Sequence, residues 1–367
     1  MNESAPRAIV KSETQDGRPL LSILDEEQLS LQLRIFIEHL YFKYMAVNPR
    51  DRKVVIVDSI LGPMKFRATL ARVLFSYFDV PGIALLPGHL MALNTLAVNT
   101  ALVVDVGYTE CLVTPVIEGV TVLNIVQFHA LGGKAIHERI RSDLLACKAA
   151  VSRAGQEFAF DKSAVACLSE SEIEDIKVRT CFVASYTRGQ QLIEDKVKGI
   201  SSTSCPPDVL YPLHGRDVLK IPGFVRESAF QVMFEMMGNE ATIATMILDA
   251  LSLAPIDCRR SLAANLVLIG GGTMSPGFRK RVSDELHGLV DVNPEYKRLI
   301  RFKEFKMHDL PCPANYASWL GSAIYASTDA ILSKTITSKE FDQTRGAVMS
   351  DWVHWWPATR PPRLAYG

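Results

Sequence analysis

Short apolar runs of strand length alternate along the chain with stretches whose apolar residues recur every three or four positions. The first pattern marks buried strands and the second amphipathic helices. Over residues 25–45, Leu33, Ile37, Leu40, Tyr41 and Tyr44 share one helical face, and Asp25 stands where an N-cap belongs. Residues 54–57 form an apolar run closed by Asp58 and predict a buried strand. Residues 66–78 are amphipathic through Leu70, Val73, Leu74 and Tyr77. A strand (83–86), a helix (88–97) and a strand (101–105) follow. Residues 112–117 and 120–126 then predict a hairpin turning at Glu118-Gly119. Further helices are expected over 136–145, 172–185, 241–253, 278–289 and 314–332. Residues 147–171 and 196–208 are less patterned and read as loops at the edge of a subsidiary domain. Strands alternating with helices predict an α/β fold around a largely buried sheet.

One segment imitates a membrane span. Residues 80–104 contain no Asp, Glu, Lys or Arg, and 25 residues are enough to cross a bilayer. Pro81, Gly82, Pro87, Gly88, His89, Asn94 and Asn99 cut it into short elements, which places it in a water-soluble core.

Composition narrows the function classes. The 367 residues balance 40 basic against 40 acidic side chains, so no long-range field gathers nucleic acid or an acidic membrane surface. Seven scattered cysteines without a CxxC pair fit reduced thiols of cytosol or nucleus, and the eight histidines show no ligand spacing. The opening residues, MNESAPRAIVKSE, carry no signal-peptide apolar stretch, and a cytoplasmic, cytoskeletal location is expected.

The most informative stretch is residues 265–278, NLVLIGGGTMSPGF. An apolar strand runs into three glycines, and a Pro-Gly step opens the next helix. Glycines there let a ligand approach the backbone closely, and a helix start aims N–H groups and a positive dipole end the same way. The plainer reading is a tight turn with close strand–helix packing.

Several collinear segments resemble the actin family. ALVVDVGYTECLVTPVIEGV (101–120) resembles its second phosphate hairpin, and LGGKAIHERI (131–140) the glycine step and helix that follow. EDIKVRTCFVA (174–184), YPLHGRDVLKI (211–221), residues 255–278, WLGSAIYAS (319–327) and SKEFDQTRG (338–346) continue the series. The resemblance implies an actin-like two-lobed α/β fold of the actin, Hsp70 and sugar-kinase superfamily. Residues 1–98 with 308–367 would form the first lobe and 99–307 the second. Residues 1–47 hold no Asp-x-Gly-Ser/Thr turn, and APRAIVKSE (5–13) resembles the strand after that turn. The expected fold therefore has a reduced subdomain 2 and lacks the first phosphate hairpin.

In this family two glycine-bearing hairpins clamp ATP–Mg between the lobes. The resemblance implies a residual adenine-nucleotide site of Asp105, Gly107, Gly132, Lys177, Gly270, Gly271, Gly272 and Met274. Gly132 would lie near the ribose, Lys177 beside the base, and Gly270, Gly271 and Met274 against adenine and the α-phosphate. Asp105 keeps a carboxylate able to meet Mg²⁺. Other positions depart from the pattern. Val178 replaces a ribose-binding glutamate, Asn315 a lysine, and Tyr108-Thr109 an Asp-Gly pair. The catalytic glutamine falls at about Gly88, next to His89, which reads as a packing residue before a water-orienting one. If each lost transition-state contact is worth ~2–4 kcal/mol, hydrolysis is not expected. The chain is thus expected to have no catalytic residue and no metal site, with ATP or ADP held structurally at most.

Within the family the texture most resembles the pointed-end subunit of dynactin. That implies a non-catalytic cap on a short actin-like filament, with the filament subunit and other pointed-end subunits as partners. Dynein would be an indirect partner, with no nucleic acid and no membrane insertion. The competing readings are an ATPase or sugar-kinase-like phosphotransferase, and a nuclear chromatin-remodelling subunit. Trp352, Trp355 and Trp356, among Pro357, Pro361 and Pro362, suggest a partner anchor or a tail folded on its own domain.

Overall fold

Helix 25–45 forms for the reasons its sequence gives, up to a point. In the computed structural model, the Asp25 carboxylate accepts from the Glu26 N–H, and Leu29, Leu33 and Ile37 are buried along Glu26–Glu38. From His39 to Met45 the helix widens to π geometry and closes on Ala46 in the left-handed conformation. Tyr41 packs its ring 5.7 Å from that of Phe78. Tyr44, expected on the buried face, is exposed instead, because i→i+5 bonding rotates it off the stripe.

The structure describes residues 25–343 apart from 148–149, 154–155, 160–167, 199–204, 214–216, 237–240 and 301–303. The APRAIVKSE segment and the tryptophan-rich end lie outside these. The chain divides into one unit of residues 1–94 and 318–367 and another of residues 95–317.

In the first unit, strands Val54–Asp58 and Gly82–Pro87 pair in parallel, and Thr335–Thr337 adds antiparallel to the second. Helix Met64–Ser76 and the Glu26–Glu38 helix cover the sheet with Leu74, Phe75, Val80 and Ile83 in one core. Phe341 joins it 4.9 Å from Phe75, centroid to centroid. At the end of the first strand Asp58 pairs with the buried Arg67, which also donates to the Ser59 carbonyl at 2.7 Å.

The second unit is built on a five-stranded sheet. Leu266–Ile269 runs parallel to Ala101–Val106, which pairs antiparallel with Cys111–Ile117. The expected hairpin forms through Glu118 and Gly119, both at positive φ (50° and 78°), the conformation a two-residue turn of right-handed twist requires. The returning strand is shorter than 120–126. Val120–Thr121 gives way to a 3₁₀ turn, and Gln127–His129 then pairs again with Cys111–Val113.

Three helical expectations change. The helix expected over 172–185 is Glu170–Thr180, and a further helix, Tyr186–Lys198, follows where none was expected. Ser169 and Glu172 form a capping box at the start of the first. It stops because the amides of Phe182 and Val183 bond to the Arg226 and Pro276 carbonyls, a tertiary pull stronger than local preference. Region 314–332 is a 3₁₀ turn, the helix Ala317–Ala326 and a second 3₁₀ turn. The helix expected over 88–97 stops at Asn94.

The unpatterned stretch 147–171 contributes two strands, Ala150–Arg153 and Gln156–Ala159. With Val218–Ile221 and Val209–Pro212 they make a four-stranded antiparallel sheet. Strands this short carry too few residues for alternation to show. Among the described residues no helix is long and apolar enough to cross a membrane.

Candidate functional site

The parallel pairing of Leu266–Ile269 with Ala101–Val106 sets Ile269 opposite Asp105. Both strands therefore end at one edge of the sheet, and their following turns meet there. Gly270 leaves its strand at φ 89° and ψ 159°, a region essentially restricted to glycine. A Cβ on Gly270 would also lie 2.6 Å from Asp105 Oδ1 and strike the Val106 carbonyl. The turn is held by the Gly270 N–H on the Ala314 carbonyl (3.1 Å) and by the Thr273 hydroxyl on the Gly270 carbonyl (2.9 Å). Gly272 packs against Val106, whereas a Cβ on Gly271 would meet nothing within 4 Å. Gly271 and the half-exposed Met274 therefore form the open part of this turn.

The second turn starts at Gly107, whose N–H donates to the Glu110 carbonyl at 3.0 Å. It is docked on the start of helix Gly133–Ala146. The Gly133 N–H donates to the Gly107 carbonyl (2.9 Å) and the Lys134 N–H to the Tyr108 carbonyl (2.7 Å). Gly132 packs directly on the Tyr108 backbone. Its neighbour Gly133, which the sequence reading passed over, is the glycine beside Lys177. A Cβ there would lie 3.6 Å from Lys177 Nζ and 3.2 Å from Tyr108 Cδ2. The second glycine of the LGGK step was the available signal.

Lys177 is no surface lysine. It is 8% exposed, and its ammonium donates to Glu174 Oε2 at 2.7 Å. The same Glu174 oxygen lies 2.9 Å from His137 Nε2, while His137 Nδ1 lies 2.8 Å from Glu170 Oε2. Glu170 also takes the Tyr108 hydroxyl at 2.9 Å and the Arg141 guanidinium at 2.7 Å. Tyr108 completes the group by meeting the His137 ring edge-on, centroids 5.5 Å apart. Burial alone would raise the Glu170 pKa, but the bonds from His137, Arg141 and Tyr108 outweigh it and hold the carboxyl at about 2. The His137 bond, with Lys177, brings Glu174 to about 2 as well, against the opposing effect of its burial. This cluster was legible in principle. Glu170, Glu174 and Lys177 recur at helical spacing, as do His137 and Arg141 on the facing helix.

Asp105 is the counter-case. Burial, aided by the nearby Glu110 carboxylate, pushes its pKa up to about 6. A carboxyl raised in the folded state stabilises fully below its unfolded value of 3.8 and loses that contribution as pH rises through about 6. Asp105→Asn, isosteric with the neutral acid, should therefore gain roughly 2–3 kcal/mol at pH 8 and almost nothing at pH 4. Urea unfolding at the two pH values checks this; equal effects at both would refute it.

The other flagged positions contribute little here. Val178, Thr109 and Asn315 are exposed. In the first unit His89 is buried at the start of Gly88–Asn94, and burial drives its pKa down to about 3, which suits a packing residue. Among the described residues no group of three or more His, Cys, Asp or Glu side chains is arranged to hold a metal ion.

A nucleoside placed against Gly133 and Lys177 would meet this arrangement directly. The atoms of Tyr108 and Lys177 stand in the space just outside Gly133. The first two N–H groups of the helix are spent on the turn. This wall does not fit a sugar or base, although the backbone at Gly271 remains open.

Comparison with known proteins agrees with the fold. The chain is 27% identical over 349 residues to Actin-related protein 10 of Dictyostelium discoideum, spanning 86% of this chain and 70% of that protein. It is 25% identical over 304 residues to Centractin of Schizosaccharomyces pombe (82% and 72%). It is 24% identical over 325 residues to Actin-related protein 3 of Oryza sativa (84% and 72%). The family model described as Actin matches residues 31–354, and with the mixed α/β architecture around the Asp105 and Gly270 turns, the chain belongs to the actin family.

Proposed function

We propose that the chain is a non-catalytic actin-related protein that caps the pointed end of dynactin's short actin-like filament. It would thereby support dynein-driven transport along microtubules in the cytoplasm. The observation that carries the reading is the Tyr108 hydroxyl bonded to Glu170 at 2.9 Å. The residue after Gly107, an aspartate on the phosphate side in the actin pattern, is here an aromatic turned to structural use. The likeness to Actin-related protein 10 and to Centractin supports the assignment to an actin-like filament.

Capping has a simple physical basis. Actin-like subunits join head to tail, a heterologous contact that stays open until a subunit lacks one complementary face. A relative that keeps the fold but not nucleotide turnover suits a permanent terminal place, because no hydrolysis step alters its contacts.

The purified chain, mixed with preformed filaments of the centractin-type subunit, should co-sediment at about one copy per filament and halt growth at one end. It should add no phosphate release. Failure to co-sediment, or incorporation along the whole filament, overturns the proposal. Phosphate release by the chain alone would restore the phosphotransferase reading.

A further inference from the structure

We propose that Tyr108 is a built-in occupant of the space outside Gly133, bridging the Gly107–Glu110 turn to helix Glu170–Thr180 where a bound nucleoside would otherwise stand. Tyr108 Cδ2 lies 3.2 Å from the position of a Cβ on Gly133, so the ring covers the glycine's open side. The hydroxyl continues to Glu170, 62 residues away in sequence, and the ring edge rests on His137. One side chain thus joins the turn and both helices, as a ligand lying between them would.

The surrounding groups are already committed. Lys177, the cation a base or sugar would meet, donates to Glu174 at 2.7 Å. Both Glu170 and Glu174 also bond to His137. The N–H groups of Gly133 and Lys134 bond to carbonyls of the turn and offer nothing to an anion. Swinging Tyr108 aside for a ligand would break its bond to Glu170 and its contact with His137 together. An aromatic edge contact and a hydrogen bond to a charged group resist that displacement.

The test uses the full chain alone, without filament, so its outcome is independent of capping. Wild-type chain titrated with Mg·ATP, Mg·ADP or adenosine to millimolar concentration should show no saturable rise in Tm. Tyr108→Phe, which loses only the hydroxyl bond, should lower Tm by roughly 2–3 °C, and Tyr108→Ala by several degrees more. Tyr108→Ala should also gain a Tm rise with adenosine that wild type lacks. If the alanine variant does not fold, Tyr108→Phe and the wild-type titration still decide. The proposal is overturned by saturable nucleotide stabilisation of wild type. It is equally overturned by a Tyr108→Phe variant as stable as wild type, or by a folded Tyr108→Ala variant indifferent to adenosine.

Discussion

Gly270→Ala is expected to destabilise the chain by about 3–5 kcal/mol, while Gly271→Ala, one residue along, costs under about 1 kcal/mol. Gly270 sits at φ 89° and ψ 159°, where a side chain costs on the order of 1–3 kcal/mol in backbone strain. The added methyl would also run into the Val106 carbonyl and Asp105 Oδ1. Relieving that overlap adds about 1–3 kcal/mol, because both obstacles belong to a central strand that cannot shift alone. A Cβ on Gly271 meets nothing within 4 Å and keeps ordinary backbone geometry. Urea denaturation of the two variants separates the effects. Similar midpoints would mean that the glycine run serves only flexibility.

The second large effect lies away from the glycine turns. Arg281 is 1% exposed, yet it is charged. It donates to Glu285 at 2.8 Å, to the Ala184 carbonyl at 2.8 Å and to Gln231 Oε1 at 3.2 Å, with its guanidinium 4.6 Å from the Phe234 ring centre. Helix Phe278–Val292, the extended segment 181–185 and the 3₁₀ turn Gln231–Met233 all converge on this one side chain. Arg281→Met should cost roughly 3–5 kcal/mol, since it strands a buried carboxylate and two acceptors. Gly189, inside helix Tyr186–Lys198, exists to admit the guanidinium, which a Cβ there would overlap. Gly189→Ala should therefore be harmful in wild type but nearly neutral beside Arg281→Met, giving a coupling of about 1–3 kcal/mol. Strict additivity in the double mutant would show that glycine and arginine do not share this space.

The same pair shows why parts of the fold were hidden from sequence. A glycine inside a helix argues against one by propensity alone, and Tyr186–Lys198, which carries Gly189 in its first turn, was not expected as a helix. Only the guanidinium arriving from a helix some ninety residues later explains the glycine. The break at 181–185 has the same character, because its amides are claimed by Arg226 and Pro276 carbonyls. The edge strands Ala150–Arg153 and Gln156–Ala159 owe their state to the Val218–Ile221 strand that pairs with them.

In the candidate site, residue types were readable and their engagements were not. The Asp105 turn, the glycines after Ile269 and the lysine of the EDIK segment stand in one unit, on turns and a helix that the sequence marked. That Gly133 adjoins Lys177, and that Tyr108, His137, Glu170 and Glu174 form one bonded group, required the packing of two helices against a turn.

By itself the sequence determined the α/β alternation, the central strands Ala101–Val106 and Leu266–Ile269, the turn at Glu118-Gly119 and membership of the actin family. These rest on local periodicity, turn chemistry and motif order, all written within a few residues of where they act. The tertiary structure alone decided where helices break, which short runs become strands, and which neighbours claim each buried polar group. Those outcomes depend on partners distant in the chain, and a buried donor or acceptor takes whatever partner packing brings within reach.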